Sequence, residues 1–145
     1  MKIIDIKTQD IRFPTSKDNL GTDAVHVDCD YSATYVTIFT DQKDLTGIGL
    51  TFTIGKGNDL CCTVIEYFKE FIIGKNVEEI EKDIASIWEK ITNHSQLRWV
   101  GPQKGVTHLA AAAFFNAIWD LISKLHKKPL WRYICLLYTS PSPRD

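Results

Sequence analysis

The sequence predicts an α+β fold in which a three-stranded antiparallel meander is followed by a helical bundle. Three segments in the first third of the chain alternate apolar with polar or small residues, which is the period of half-buried strands. From Gly57 onward apolar residues recur every three or four positions, as they do on one face of a helix. The length of 145 residues is usual for one domain, and no internal repeat is visible.

Three predicted strands make up the meander. The first alternates Ile4 and Ile6 with charged residues and ends at Pro14. Residues 31–40 form the second, because their β-branched and aromatic side chains favour strands. The third has apolar residues at alternating positions: Ile48, Leu50, Phe52 and Ile54. A meander of this size must pack against helices or against another domain to bury one of its faces.

The first two predicted helices have recognisable boundaries. Asn58 or Asp59 can cap the start of the first helix, which Gly74 closes. Asn76 and Glu79 have the spacing of a capping box, and this predicts the start of the second helix.

The third predicted helix covers residues 106–126. Its run of alanines at 110–113 permits the backbone of a neighbouring element to come close. Lys127 and Lys128 precede Pro129, which ends this helix and suits the first turn of a further one.

Charge and composition exclude some partners. The chain is 44% hydrophobic and 24% charged with a formal net charge of -1, as in ordinary globular proteins. This balance gives no electrostatic reason to expect nucleic acid or an anionic membrane. No segment approaches the roughly 18 consecutive apolar residues of a membrane helix. We therefore expect neither a nucleic-acid nor a membrane partner.

The cysteines indicate a reducing compartment. There are four of them, and none forms the C-x-x-C spacing of a zinc site. Cys61 and Cys62 are adjacent on a predicted helix and cannot readily pair with each other. Reduced thiols in an intracellular protein are the simplest interpretation.

Residues 135–145 are predicted to lie outside the fold, which leaves residues 1–134 as the domain. They break the amphipathic pattern and carry Pro141 and Pro143, so they are not expected to continue a helix. Their sequence corresponds to the translation of a transposase-type sequencing adapter, and in that case the natural reading frame continues past Ile134. The alternative is a Ser/Pro-rich disordered tail.

The loop at residues 21–31 offers the residues best suited to bind a polyol. Gly21 lets a backbone approach a ligand, while Thr22, Asp23 and Tyr31 supply hydroxyl and carboxylate groups. A solvated, turn-rich loop is the alternative interpretation. A metal site would draw on four neighbouring residues: His26, Asp28, Cys29 and Asp30. Their spacing matches no recognised site, and their mixture of soft and hard ligands favours no particular metal.

A second loop, residues 55–59, lies between a strand and a helix. It fails the phosphate-loop pattern because a glycine follows Lys56, so it is either a plain turn or a place where backbone N–H groups face a carboxylate. No paired carboxylates and no nucleophile–base pair stand out. Three histidines are expected to be structural or solvated: His94, His108 and His126. The chain therefore has no predicted catalytic residue.

Several separate motifs occur along the chain in an order that indicates a known family. They are Asp-Ile-Arg-Phe-Pro-Thr-Ser at 10–16, Asp-Cys-Asp-Tyr-Ser at 28–32, Thr-Phe-Thr-Ile-Gly-Lys-Gly at 51–57, Gln-Leu-Arg-Trp-Val-Gly-Pro at 96–102, Lys-Gly-Val at 104–106 and Ala-Ile-Trp-Asp-Leu at 117–121, followed by Lys-Pro-Leu-Trp at 128–131. Together they resemble the L-fuconate dehydratase branch of the enolase superfamily over residues 3–133. The part that matches is the N-terminal capping domain.

The resemblance implies a hydro-lyase whose reaction takes place elsewhere in the protein. Members of this branch are Mg²⁺-dependent dehydratases of sugar acids, built from a cap and a (β/α)-barrel. A barrel base removes the proton beside the carboxylate, the metal stabilises the enediolate, and the β-hydroxyl leaves as water. The base and the metal ligands belong to the barrel, so the resemblance implies neither catalytic nor metal-binding residues in this chain.

The resemblance also implies a substrate-binding role for the first loop. Its positions at the sugar acid are Gly21, Thr22, Asp23 and Tyr31, with a second loop around Lys56 and Gly57 closing over the pocket. The implied partners are a sugar acid such as L-fuconate and the chain's own barrel domain. The parent is expected to be a homo-oligomer in the mitochondrion or cytoplasm.

Two alternatives stay open at this point. The chain could be a free-standing interaction module or short isoform without catalysis, or the cap of a dehydratase for a different acid sugar.

Overall fold

The computed structural model describes residues 1–100, 103 and 105–138, and it confirms a three-stranded antiparallel meander followed by helices. The strands are β1 (Ile3–Ile11), β2 (Ser32–Thr40) and β3 (Thr46–Thr53). The helices are α1 (Asn58–Phe68), α2 (Val77–Thr92), α3 (Val106–Leu125) and α4 (Leu130–Tyr138). Short 3-10 turns lie at Thr15–Asp18, Lys69–Phe71 and Leu97–Trp99.

The sheet order is β1-β2-β3, with antiparallel neighbours throughout. Every second residue of the central strand β2 is buried against the helices: Ser32, Thr34, Val36, Ile38 and Thr40. The core continues through the facing sides of α1, α2 and α3, where Phe68 and Phe114 meet edge to face at 5.5 Å. By length and composition α3 could cross a membrane, but 61% of its most apolar stretch is buried inside the domain.

Strand β3 turns its small residues, not its apolar ones, toward the helices. Gly47 and Gly49 are buried against α3, and a β-carbon on either would collide with a carbonyl oxygen of that helix. Ile48 and Phe52 on the other face are 49% and 55% exposed. The alternation of the strand was predictable, but the identity of its inner face depends on how closely the alanine-rich α3 approaches.

Side chains from α3 satisfy the free edge of β3. Three residues spaced one helical turn apart bond successive backbone groups: Asn116 Nδ2 donates to Leu50 O (3.4 Å), Asp120 Oδ2 accepts from Ile48 N (2.8 Å) and Lys124 Nζ donates to Thr46 O (3.0 Å). Unpaired edge groups would otherwise invite a strand from another chain. This edge is therefore closed to sheet extension unless the helix side chains are displaced.

The boundaries of α2 and α3 agree with the prediction, whereas those of α1 do not. The capping box of α2 is present, since Asn76 N donates to Glu79 Oε2 at 3.3 Å. The predicted N-cap of α1 is wrong, because Gly57 takes that position with a φ of 99° and Asn58 is already helical. The Asn58 side chain is bonded to Asp10, Ile11 and Thr53 and makes no capping hydrogen bond. The helix also ends at Phe68, well before the predicted Gly74.

Helix α4 runs four residues past the predicted domain boundary at Ile134. It continues to Tyr138, so the expectation that residue 135 onward cannot be helical is wrong for that stretch. The two prolines of the predicted tail lie among residues 139–145, outside the described residues. Glu81 of α2 holds α4 in place, because it accepts hydrogen bonds from Tyr133 and from His126 Nε2 (3.0 Å). The adapter origin of residues 135–145 stays a prediction.

Asn58 joins all three strands to the first helix. Its side chain is fully buried, and its Nδ2 donates to Asp10 Oδ1 (2.9 Å) and Ile11 O (3.2 Å) at the end of β1. Its Oδ1 accepts from Thr53 at the end of β3, and its backbone oxygen accepts from Thr34 Oγ1 of β2 at 3.0 Å. Each polar group of this side chain has a partner, as a buried amide requires.

An ion pair extends the Asn58 junction to the surface. Arg12 donates from Nε and Nη2 to the Asp10 carboxylate at 2.7–3.0 Å and reaches Asp59 at 3.2 Å. The hydrogen bond from Arg12, aided by that from Asn58, lowers the pKa of Asp10. Asp10 therefore stays a carboxylate and a dependable acceptor at neutral pH.

We expect Gly47→Ala and Gly49→Ala each to destabilise the domain by about 2–3 kcal/mol, because the new methyl group must push α3 off the sheet. The control is Gly74→Ala, which meets no neighbour but has a φ of 80° and should cost about 1 kcal/mol. Urea unfolding followed by circular dichroism measures each loss. Equal losses in all three variants would refute the close helix–sheet contact as the cause.

Asn58→Ala should lower the free energy of unfolding by about 2 kcal/mol or more, because Thr53 and Ile11 are left with buried polar groups that have lost a partner. The matched control is Asn116→Ala, an exposed amide with one long hydrogen bond, which should cost less than about 1 kcal/mol. Both are measured by the same unfolding assay. A smaller loss of unfolding free energy for Asn58→Ala than for Asn116→Ala would contradict the role of Asn58 as a buried junction.

Candidate functional site

Two loops meet at one end of the sheet. Because neighbouring strands are antiparallel, the end of β1, the start of β2 and the end of β3 lie side by side. The long loop of residues 12–31 therefore emerges next to residues 54–57, which link β3 to α1. Asp30 N donates to Ile54 O at 3.1 Å and ties the two loops together. This end of the domain is the candidate site.

The long loop is closed at its base by hydrogen bonds. Thr15 Oγ1 donates to Cys29 O (2.8 Å) and accepts from Tyr31 N (2.9 Å). Ser16 donates from Oγ (2.7 Å) and from its backbone N (3.1 Å) to Asp30 Oδ1, and these bonds lower the pKa of Asp30. With its two ends held this way, the segment has the character of an Ω-loop, in which a compact surface loop is organised by its own contacts.

The structure brings Gly21 and Tyr31 together. Tyr31 Oη donates to Gly21 O at 2.9 Å, and a β-carbon at Gly21 would collide with the Tyr31 ring. Gly21 also has a φ of 75°, which L side chains rarely adopt. The Tyr31 ring is supported from below by Phe52, edge to face at 5.4 Å. The backbone conformation at position 21 therefore favours glycine, and the Tyr31 ring occupies the place of a β-carbon.

Thr22 and Asp23 are engaged inside the loop. Thr22 Oγ1 donates to Asn19 O at 3.1 Å. The Asp23 carboxylate accepts from the backbone N of His26 (2.7 Å) and of Val25 (2.8 Å), and from the ring Nδ1 of His26 (3.1 Å). The two backbone bonds and then the ring bond lower the pKa of Asp23 to about 2. Asp23 is therefore ionised at neutral pH, and its carboxylate stabilises the turn by accepting these hydrogen bonds.

The second loop lines an apolar cavity of about 390 Å³. Lys56 and Gly57 form one wall, and the other walls come from residues around the starts of α1 and α3, among them Phe52, Leu60, Val106 and Leu109. A larger cavity of about 660 Å³ adjoins it through Leu60 and Val106. The four predicted residues of the first loop line neither cavity.

Two of the three histidines outside the long loop have structural partners. His94 Nδ1 accepts from Gln96 N (3.3 Å) and Leu97 N (3.2 Å), and His126 pairs with Glu81. These two agree with the predicted structural roles. His108 Nδ1 is buried and has no partner in the described part of the chain. Among residues 1–100, 103 and 105–138, no three His, Cys, Asp or Glu side chains gather as a metal site would require.

The two buried thiols are unsuited to nucleophilic chemistry. Cys29, Cys61 and Cys62 form no disulfide, and Cys29 and Cys61 are buried. Burial is the main cause that raises the pKa of both thiols, so the reactive thiolate is disfavoured. Together with the histidine contacts, this leaves the described site with groups that can shape and bind but with no activated nucleophile.

Sequence reasoning missed two residues of this site. Asn58 was expected to be a helix cap, but it is a buried junction. The sequence signal that could have indicated this is a polar residue between the end of a strand and an apolar helix face. His26 was considered as a metal ligand only. Its position three residues after Asp23 suits an aspartate-centred turn, which could have indicated their contact.

The chain matches a known family model over most of its length. Residues 22–135 match the mandelate racemase / muconate lactonizing enzyme N-terminal domain. That range includes β2, β3 and all of the first three helices.

Two curated relatives are similar over nearly the whole chain. Mitochondrial enolase superfamily member 1 from Xenopus laevis is 47% identical over 134 residues, which are 92% of this chain and 30% of the relative. L-galactonate dehydratase from Hypocrea jecorina is 45% identical over 132 residues, 91% of this chain and 29% of the relative. The chain thus spans about 30% of the length of the curated relatives that it matches.

Solved structures share the architecture. The crystal structure of human mitochondrial enolase superfamily member 1 superposes with a TM-score of 0.88 at 42% identity, over 97% of this chain and 32% of that one. L-talarate dehydratase from Polaromonas, crystallised with Mg and L-glucarate, has a TM-score of 0.67 at 19% identity, over 92% of this chain and 32% of that one, and shows the shared fold. The chain belongs to the mandelate racemase / muconate lactonizing enzyme N-terminal domain family of the enolase superfamily.

Proposed function

We propose that this chain is the substrate-capping domain of a Mg²⁺-dependent sugar-acid dehydratase that converts L-fuconate to its 2-keto-3-deoxy acid. The observation that carries the proposal is the organised loop of residues 12–31, whose base is bonded to the sheet and whose polar tip is held open to solvent. Gly21, Thr22, Asp23 and Tyr31 form its pocket wall. The L-fuconate assignment follows from the ordered sequence motifs, and the identity to a sugar-acid dehydratase supports the reaction class.

The loop is suited to hold a polyhydroxylated anion at a defined position. Tyr31 Oη donates its hydrogen bond to Gly21 O and keeps lone pairs that can accept a hydrogen bond from a substrate hydroxyl. The Gly21 carbonyl is fixed by the same bond, and Phe52 supports the ring. A pre-organised wall loses little entropy when a substrate binds, which favours affinity.

The proton transfer and the metal chemistry belong to the barrel domain in this proposal. Mg²⁺ bound there would stabilise the negative charge that develops on the substrate carboxylate when the neighbouring proton leaves. The described residues of this chain offer no cluster of ligands for that ion. The contribution of this chain is to enclose the substrate and to exclude water from it.

The barrel domain is also the proposed partner of the apolar surface around the second loop. Phe52, Ile54 and Leu60 are each more than two-fifths exposed beside the cavity that Lys56 and Gly57 line. The chain spans about 30% of the length of its relatives, so the remainder of the parent is large enough to cover this surface. We place the parent enzyme in the mitochondrion, as the names of its relatives suggest, and expect it to be a homo-oligomer.

A second candidate substrate is L-galactonate. A relative at 45% identity carries the name L-galactonate dehydratase, and L-fuconate and L-galactonate share the polyhydroxy acid chemistry that the loop is suited to bind. The barrel residues that help to choose between these acids are outside this chain.

The proposal predicts that the full-length parent dehydrates L-fuconate or L-galactonate with Mg²⁺, and that this chain alone does not. Release of the 2-keto-3-deoxy acid, detected as its semicarbazone, measures the activity. Tyr31→Phe in the parent should raise KM about three- to tenfold with a smaller change in kcat, because one hydrogen bond of about 0.5–1.5 kcal/mol that fixes the loop is lost.

The control is Tyr35→Phe, a tyrosine in the middle of β2 and away from both loops, which should leave KM unchanged. A parent that dehydrates neither acid would sink the proposed function. An active parent in which Tyr31→Phe and Tyr35→Phe behave alike would instead reject the assigned pocket wall.

A further inference from the structure

The tip of the long loop holds an aspartate–histidine dyad. Asp23 and His26 form a tight turn in which Asp23 N donates to His26 O at 3.0 Å and His26 N donates to Asp23 Oδ1 at 2.7 Å. The imidazole Nδ1 lies 3.2 and 3.1 Å from the two carboxylate oxygens. The ring is thus anchored through its backbone and through one of its two nitrogens.

The charge of Asp23 determines which ring nitrogen carries a hydrogen. The pKa of Asp23 is about 2, so at neutral pH its oxygens only accept hydrogen bonds. Nδ1 must then be the donor, and Nε2 is the nitrogen that a neutral ring leaves as an acceptor. Within the described part of the chain no hydrogen bond reaches Nε2, and the His26 side chain is 51% exposed.

We propose that His26 contacts the sugar acid through Nε2 and that Asp23 is the residue that positions it. This inference rests on the proposed function and deepens it, because it names the group that the loop presents to the ligand. The Asp23 carboxylate already accepts three hydrogen bonds within the loop, so it acts through the imidazole.

The chemistry of Nε2 fits a hydroxyl group of the substrate. A hydroxyl both donates and accepts, so it can bond Nε2 whether the ring is neutral or protonated. A polyhydroxy acid offers several such groups, and a ring already fixed at Nδ1 selects one of them by position. The anchoring also spares the rotamer entropy that a free side chain would lose on binding.

Two amides of this chain report the dyad directly. The folded pKa of Asp23 lies below its usual 3.8, so the stabilisation from its carboxylate is complete above the unfolded pKa and is lost as the pH falls through about 2. In ¹⁵N NMR spectra, the chemical shifts of the Val25 and His26 backbone amides should change as Asp23 becomes protonated, with a midpoint near pH 2. The neutral His26 ring should show the Nδ1–H tautomer, and an Nε2–H tautomer would overturn the proposal.

Two substitutions in the full-length parent separate ligand contact from loop structure. His26→Asn keeps a nitrogen donor at the place of Nδ1 but has nothing at Nε2, so KM should rise about tenfold with kcat little changed. His26→Gln can extend its amide toward the Nε2 position and should recover part of that loss. Circular dichroism and the Asp23 titration midpoint should be retained in His26→Asn.

The outcomes separate this proposal from the proposed function. If the wild-type parent dehydrates a sugar acid and His26→Asn has the same KM, then His26 only shapes the loop and the contact is rejected. If His26→Gln is worse than His26→Asn, the contact through Nε2 is rejected as well. A wild-type parent without dehydratase activity overturns the proposed function and this inference with it.

Discussion

The buried side chain of Asn58 is the junction on which the candidate site depends. It binds the ends of β1 and β3 from its amide, while its backbone accepts from β2, so one residue fixes three strand ends relative to the start of α1. Both loops of the site leave the sheet at these ends. A buried amide tolerates no loss of a partner, because each unpaired group costs about 1–3 kcal/mol. The loops therefore start from points that the core holds in place.

A second constraint, the contact between α3 and β3, sets the character of the surface. Gly47 and Gly49 let the helix lie against the strand backbone, and this close approach brings Asp120 within reach of the strand edge. The consequence is an inversion of the usual arrangement, since the small residues of β3 are inside and Phe52 is outside. Phe52 is then available to support Tyr31, so the same packing that closes the strand edge also supports the candidate pocket wall.

The elements were predictable because periodicity and capping are local, whereas the contacts between them were not. Asn76 and Glu79 predict a helix start from their spacing alone, and the structure confirms it. The cap proposed at Asn58 fails because its partners are up to 48 positions away in the sequence. Likewise Gly21 and Tyr31 could be singled out by residue type, but their mutual contact requires the loop to close, which no local pattern encodes.

In the proposed function, the binding wall consists of groups that already have partners within the domain. Asp23 accepts two backbone hydrogen bonds from its own turn, and its contact with Nδ1 holds the imidazole of His26 in one orientation. A carboxylate free to bind a ligand would carry its charge toward an anionic substrate and repel it. The Asp23 carboxylate keeps its charge at neutral pH, and in the proposed function the groups that meet the sugar acid are the imidazole of His26 and the hydroxyl of Tyr31. In the proposed function, the domain would in this way favour one shape of polyhydroxy acid while the reaction proceeds on the barrel domain.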